Sequence, residues 1–419
     1  MVTITESWYK TTWETLRSLY REVLKRELDI VGAEGYLWAA MNGAYAEDIR
    51  QYLMESDEYK EFTKPKPVNK LEALKVSDLN FIKPDGSVFK WHGLTAFLLF
   101  KKYLAVEDLT NFLTWAKINK VNVLRVLGMV SWGPLDPRSI DNYYDRLREF
   151  ARFINSQGFY LEFVIFADAQ ILMPDQVDQL VHAQRCVDAL EGTYTFVEIC
   201  NEPFKNGVDT KIVVPTTKLL LAEGNYDPYS LVAKDYLTIH TPRDGEWPRK
   251  AKDLAEYGFL GLGNILPFGV PCVADEGYGI GWFEEGNPQR SSRDRSLVAQ
   301  DHADYAAVAS LFGAGSTIHG DFGIHCFVPG DKEQACVDAI VKVWDDIPTN
   351  TLFGRYTAGH LLGCPFEYNV DNMLRVFGMI TDPIATCVVV RGRFGALKPG
   401  WKLVETKGFN NNIAITERT

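Results

Sequence analysis

Between about residue 76 and residue 320 the sequence repeats one pattern: a short apolar run, an amphipathic helical stretch, then another apolar run. That alternation specifies a parallel sheet wrapped by helices, because parallel strands need a crossover between them. The strand candidates are Val88 to Leu94, Val121 to Leu127, Tyr160 to Phe166, Thr195 to Cys200, Lys218 to Leu221, Tyr236 to His240, Val270 to Asp275 and Ser316 to His319. Helices fit over Val106 to Lys120, Asp141 to Gln157, Gln176 to Leu190, Pro248 to Tyr257, Ser296 to Phe312 and Lys332 to Trp344. The crossover from Phe204 to Thr217 is too short and too rich in Gly and Val for a full helix. Eight strands in order favour a closed (β/α)8 barrel over an open sheet. A length of 419 residues suits such a barrel of roughly 250 residues plus appendages.

The appendages read differently. Residues 1–62 form a small helical module in which Trp13, Leu16, Leu19, Tyr20, Val23 and Leu24 recur at three- and four-residue spacing. A second helix carries Tyr36, Leu37, Ala40 and Met41, a third carries Ile49, Tyr52 and Leu53, and Ser56-Asp57-Glu58 reads as a helix restart. The stretch from Leu19-Tyr20-Arg21-Glu22-Val23-Leu24 through Ser56-Asp57-Glu58-Tyr59 resembles short helical repeats of bacterial and phage surface proteins, which implies surface or virion assembly through this module. Lys64-Pro65-Lys66-Pro67 marks a solvated linker over residues 63–75, ahead of a catalytic domain over 76–363. Residues 364–419 form a short C-terminal β unit, with β-type runs at Ala385 to Val390, Trp401 to Glu405 and Asn412 to Ile415.

The formal charge of −11 repels phosphate backbones and argues against nucleic-acid binding. No 18-residue apolar run exists to span a membrane, and the N-terminus lacks the pattern of a Sec signal. Seven cysteines without a CxxC pair read as free, buried thiols, which fits a chain made in a reducing cytosol and leaves virion association or export by another route open. His and Cys show no metal-ligand spacing, no Gly loop cradles a phosphate, and no GxSxG elbow occurs, so neither a metal nor a cofactor is expected.

Chemistry in such a barrel sits at the C-terminal ends of the strands. Glu202 follows the fourth strand candidate and Glu276 the seventh, so the two would face each other across the mouth. Hydrolysis of a glycosidic bond needs that arrangement: one carboxyl to protonate the leaving oxygen, another to attack or to activate water. A lone Glu at a strand end is more often a salt-bridge partner or a cap. Two, at strands four and seven, point to catalysis.

Phe196-Val197-Glu198-Ile199-Cys200-Asn201-Glu202-Pro203 resembles the Asn-Glu-Pro signature of the clan A glycoside hydrolases, which include family-five cellulases and mannanases. The resemblance covers roughly residues 76 to 363, and Phe89-Lys90-Trp91-His92-Gly93 is compatible with it. It implies Glu202 as acid/base, Glu276 as nucleophile, Asn201 on the sugar 2-hydroxyl and Arg125 on the nucleophile. It implies a β-linked poly- or oligosaccharide substrate and net retention, with the carboxyl groups roughly 5–5.5 Å apart. Two features depart from it. His240 lacks the Tyr that often follows in such sequences, for which Tyr278 is a candidate substitute, and Ile318-His319-Gly320 carries no Trp at the eighth strand end. His240 and His319 are candidate sugar or carboxylate contacts, and Trp132, Trp247 and Trp282 are candidate stacking platforms or packing anchors. Alternation sends Asp275 to the side opposite Glu276, so Asp275 reads as structural, as does Glu198. A non-catalytic glycan-binding barrel of a phage or cell surface is the rival class. A transglycosylase would use the same residues.

Overall fold

The computed structural model describes residues 12, 14–20, 36, 45–56, 71–78, 80–224, 235–240, 270–277, 279–281, 295–347, 355–356, 365–367, 375–381, 383–390 and 394–419. The chain divides into two compact units, residues 1–69 and 70–419. In the first, residues 14–20 are helical and bury Leu16, Leu19 and Tyr20, as their spacing requires. The helix Ala46–Glu55 buries Ile49 and Leu53, whereas Tyr52 faces outward. It ends at Ser56, whose N–H donates to Leu53 O at 3.2 Å. Trp13, most of the expected second helix, the restart beyond Ser56 and the Lys64 to Pro67 linker lie outside the described residues.

In the second unit eight parallel strands form one sheet, here β1 Trp91–Thr95, β2 Val123–Leu127, β3 Tyr160–Phe166, β4 Thr195–Cys200, β5 Leu220–Gly224, β6 Leu237–His240, β7 Cys272–Glu276 and β8 Gly315–Ile318. Their order is β5-β4-β3-β2-β1-β8-β7-β6, so sequential neighbours are spatial neighbours around a barrel. At the seam, Asp235 N donates to Leu221 O and Leu221 N donates to Asp235 Oδ2, both at 2.9 Å, which nearly closes the ring. The fold is a (β/α)8 barrel, with outer helices at Leu99–Leu104, Thr110–Ile118, Tyr143–Ser156, Gln176–Leu190, Ala299–Phe312 and Asp331–Asp346.

The boundaries differ from expectation for identifiable reasons. The run Val88 to Leu94 is two elements: Val88–Phe89 pairs antiparallel with Asn80–Ile82, itself paired with Lys75–Ser77, and β1 starts after Lys90, whose Nζ donates to Ile347 O at 2.8 Å. β5 begins later than Lys218 because the residues before it are bonded to the helix Gln176–Leu190 and its C-cap. Thr216 N donates to Gln184 Oε1, and Lys218 N to Glu191 Oε1. The helix expected over Val106 to Lys120 is interrupted at its start by Val106 itself, left-handed at φ 58°, and begins at Thr110, whose N–H is capped by Asp108. The fourth crossover holds only the short turn Pro203–Asn206, in keeping with its composition. The expected helix over Pro248 to Tyr257 lies outside the described residues.

The C-terminal sheet is antiparallel and five-stranded, in the order Arg355–Tyr356, Arg375–Thr381, Ile384–Val390, Ile413–Arg418, Trp401–Lys407. Its first strand precedes residue 364, so the sheet starts earlier than the sequence suggests. Val388 and Ile413 join the core that the barrel helices share.

A floor of apolar and aromatic side chains fills the N-terminal end of the barrel. Trp91, Val123, Tyr160, Phe196, Ala222, Tyr236 and Val273 point inward there, with Phe81 and Phe89 of the small antiparallel sheet. Phe81 meets Phe196 at 5.2 Å and Tyr236 at 5.7 Å, both edge to face. This floor sets the inward parity of β1 to β7, and therefore which residues form the next layer up.

Candidate active site

Counting two residues on from the floor, period-two alternation puts Arg125 above Val123, Glu162 above Tyr160, Glu198 above Phe196 and Asp275 above Val273. All four are completely buried. Arg125 Nε and Nη2 donate to Glu198 Oε2 and Oε1 at 2.9 and 2.8 Å, a two-pronged contact. Nε also lies 3.0 Å from Asp275 Oδ2 and 3.8 Å from Glu162 Oε2. Nη2 donates to Asn201 Oδ1 at 3.0 Å, and Nη1 to Glu276 Oε1 at 3.2 Å. The ring of Phe97 lies 5.4 Å from the guanidinium carbon.

Strict alternation would turn Glu276 away from this cluster. Instead the ladder between β7 and β6 slips: Val273 pairs with Thr238, but Glu276 pairs with His240. Three steps on one strand answer two on the other, as in a bulge, so the neighbours Asp275 and Glu276 both reach Arg125. Here the expectation that Asp275 faces away from the site is overturned. Glu198, read from the sequence as structural, takes the two shortest bonds Arg125 makes.

One guanidinium among four carboxyl groups leaves negative charge in excess, and protons must make up part of the difference. Burial, with Glu198 and Asp275 adding to it, raises the Glu162 carboxyl well above its usual range, and Tyr236 OH donates to its Oε1 at 3.1 Å. Burial likewise pushes Glu198 up to about 7, against the pull of Arg125. Burial acts on Asp275 too, but Arg125 and His240 outweigh it and hold that carboxyl below its ordinary value. Glu198, His240 and Asp275 place ligand-type atoms within 4.8 Å of one another, the kind of cluster that can hold a metal ion. The Arg125 guanidinium stands among them and supplies that positive charge covalently.

Above this layer His240 links the rest. Its Nε2 is 3.5 Å from Asp275 Oδ2 and 3.4 Å from Arg125 Nη2, and its Nδ1 is 3.5 Å from Glu276 Oε2 and 3.9 Å from Glu202 Oε1. Burial alone would lower its pKa, but Asp275 raises it further. The nearest oxygens of Glu202 and Glu276 are therefore no farther apart than the sum of 3.9 and 3.5 Å. Glu202 has a left-handed backbone, φ 46° and ψ 69°, where the strand turns into Pro203–Asn206. A non-glycine residue held there costs conformational energy, and such residues cluster at functional sites. His240 is the largest influence drawing the Glu202 carboxyl down to about 2; half-burial opposes it, and Lys205 Nζ, 2.8 Å from Oε2, adds to it.

Glu202, Glu276, Arg125, Asn201 and His240 are thus brought together. His319 is buried, pairs with Thr95 Oγ1 at 3.0 Å and lies beside the Phe97 ring, which places it on the β1–β8 side of the barrel. Trp132 is half exposed and meets His325 edge-on at 6.3 Å. Tyr278, Trp247 and Trp282 lie outside the described residues. Glu162, Glu198 and Asp275 join the cluster unexpectedly. A signal for the first two is present: each is an ionisable residue two positions beyond an aromatic in an otherwise apolar strand.

No family model and no curated protein matches this sequence. Solved structures similar to it include a beta-mannanase from Streptomyces thermolilacinus with mannohexaose, 14% identical, covering 67% of this chain and 97% of that one at TM-score 0.44. A beta-glucanase from Saccharophagus degradans is 15% identical over 65% and 95% of the two chains, at TM-score 0.47. A GH30 endoxylanase from Clostridium papyrosolvens C71 is 8% identical over 83% and 100%, at TM-score 0.40. Identities this low do not disclose a reaction, which has to be read from the side chains.

Proposed function

We propose that this chain is a retaining glycoside hydrolase that cleaves β-linked poly- or oligosaccharides, with Glu202 as acid/base and Glu276 as nucleophile. The observation that carries the reading is the convergence of the two carboxyl groups, from the ends of β4 and β7, on Nδ1 of one histidine, whose side chain is 6% exposed. Arg125 backs Glu276 from below, which favours the ionised form a nucleophile needs. Glu276 attacks the anomeric carbon while Glu202 delivers a proton to the leaving oxygen. Glu202 then takes a proton from water as that water opens the glycosyl ester. Asn201, fixed by Arg125, is placed to meet a sugar hydroxyl. A barrel that merely grips glycan has no need of a strained Glu202 or of an arginine buried behind Glu276, so the catalytic reading is preferred.

The test is incubation of the wild type and Glu202→Gln with a panel of β-mannans, β-glucans and xylans, with NMR of the first-formed anomer. Release of sugar with retained configuration by the wild type alone supports the reading. Binding without cleavage by both proteins would establish the non-catalytic barrel instead, and longer products would establish a transglycosylase.

A further inference from the structure

We propose that Asp275 and His240 form a dyad that stores the proton Glu202 delivers, an inference that rests on the glycosidase reading. Glu202 stands with one oxygen beside Lys205 and the other beside His240, and a carboxyl so placed is ionised. An ionised group cannot act as the acid, so its proton has to come from a neighbour. Among the described residues, His240 is the titratable group whose ring is turned to both Glu202 and Glu276, through Nδ1. Its other nitrogen faces Asp275 Oδ2 at 3.5 Å.

The charges around the ring come from three strands. From β2, Arg125 Nη2 at 3.4 Å opposes a charged imidazole. From β4, Glu202 and the nearby Glu198 favour it, and from β7 so do Asp275 and Glu276. Alternation from Val273 points Asp275 into the barrel, and the slip in the β7–β6 ladder brings its neighbour Glu276 to the same ring. Asp275 touches no reacting atom and is a positioning residue, acting through His240. In the first step the Nδ1 proton passes to Glu202 Oε1 and on to the leaving oxygen, which keeps the electron pair of the broken C–O bond as Glu276 bonds to carbon. His240 is left neutral, with its Nε2–H toward Asp275. In the second step Glu202 takes a proton from the attacking water and returns it to Nδ1, which restores the starting state.

The experiment is 15N NMR of the full chain labelled at histidine, with His240 assigned by its loss in His240→Gln. Both ring nitrogens protonated at pH 7 in the wild type is the expected result. In Asp275→Asn the ring should lose that proton at least one pH unit lower, a tenfold change in acid constant. A singly protonated wild-type ring overturns the dyad without any variant, and an unchanged titration in Asp275→Asn overturns it as well. Kinetics supply the second arm. Asp275→Asn should lose about 10²-fold more kcat on a phenyl glycoside than on a 2,4-dinitrophenyl glycoside, whose leaving group needs no proton. Equal losses on both would make Asp275 merely structural and overturn the proposal. A wild type inactive on every glycoside would sink the glycosidase reading, while the NMR titration would still decide whether Asp275 holds the ring's proton.

Discussion

Arg125 and Glu198 meet through two parallel bonds, Nε to Oε2 at 2.9 Å and Nη2 to Oε1 at 2.8 Å, with both side chains cut off from solvent. This pair sits one layer above the aromatic floor and fixes the guanidinium plane, which leaves Nη1 to reach up to Glu276. The nucleophile candidate is therefore supported by an arginine whose orientation Glu198 determines.

Removing Arg125 should damage the whole cluster at once. Arg125→Met keeps a side chain of similar length but leaves Glu198, Asp275 and Glu276 without their shared cation. Breaking a buried ion pair from one side costs about 3–5 kcal/mol. Urea unfolding should show a loss of that size. Arg125→Lys should recover only part of it, because an ammonium cannot make the two-pronged contact with Glu198. Wild-type stability in either variant would show the cluster to be energetically idle.

Stability should also vary with pH in a direction set by Glu198. In the unfolded chain a glutamate titrates near about 4.3, and burial in the fold pushes Glu198 up to about 7. Between those values the folded protein holds a proton that the unfolded chain has lost. The Glu198 contribution is therefore fully present below about pH 4.3 and is lost as pH rises through about 7, by on the order of 3 kcal/mol. Glu162, also raised, acts in the same sense. Glu202 and Asp275, both lowered, act in the opposite sense and withdraw stability as the pH falls below about 4. His92 and His182, both lowered to about 4 by burial, act against this, so the readout is the difference between the two proteins: the stability advantage of the wild type over Glu198→Gln in urea should shrink as pH rises from about 4.5 to 8. Parallel curves for the two proteins would exclude Glu198 as the source.

Glu276→Gln should keep the fold and abolish turnover, since it removes the nucleophile while an amide still fits beside Arg125. A loss on the order of 10⁴- to 10⁶-fold in kcat is expected, with circular dichroism unchanged. Full activity in that variant would move the nucleophile elsewhere.

Much of the molecule is legible in its sequence because the barrel depends on period-two and helical repeats that single residues display. Glu202, Glu276, Asn201 and His240 stand at strand ends in the sequence and Arg125 within the second strand, and all converge in the fold. Asp275 is misread because parity along a strand assumes an unbroken ladder. The slip opposite Thr238 and His240 is a property of two strands together, invisible in one. Glu162 and Glu198 escape notice for another reason: each looks like an isolated charge until the floor residues Tyr160 and Phe196 define which side is inward. The split of the expected first strand at Lys90 has a similar origin, since its partner Ile347 lies a whole domain away in sequence.

The backbone of Glu202 offers a final test, one that separates what function demands from what folding prefers. At φ 46° a side chain is disfavoured by about 1 kcal/mol or more relative to glycine, because Cβ crowds the following carbonyl. Glu202→Ala removes the carboxyl and keeps the strain. Glu202→Gly removes both. The two variants share the loss of the contacts to His240 and Lys205, so the difference between them isolates the backbone. Thermal or urea unfolding should find the glycine variant more stable than the alanine variant by about 1 kcal/mol. Both should be equally impaired on a substrate with a poor leaving group, by about 10²–10⁴-fold. An alanine variant as stable as the glycine one would mean that the turn at Glu202 is not strained, and the residue would lose one of its marks as a site that folding alone would not have chosen.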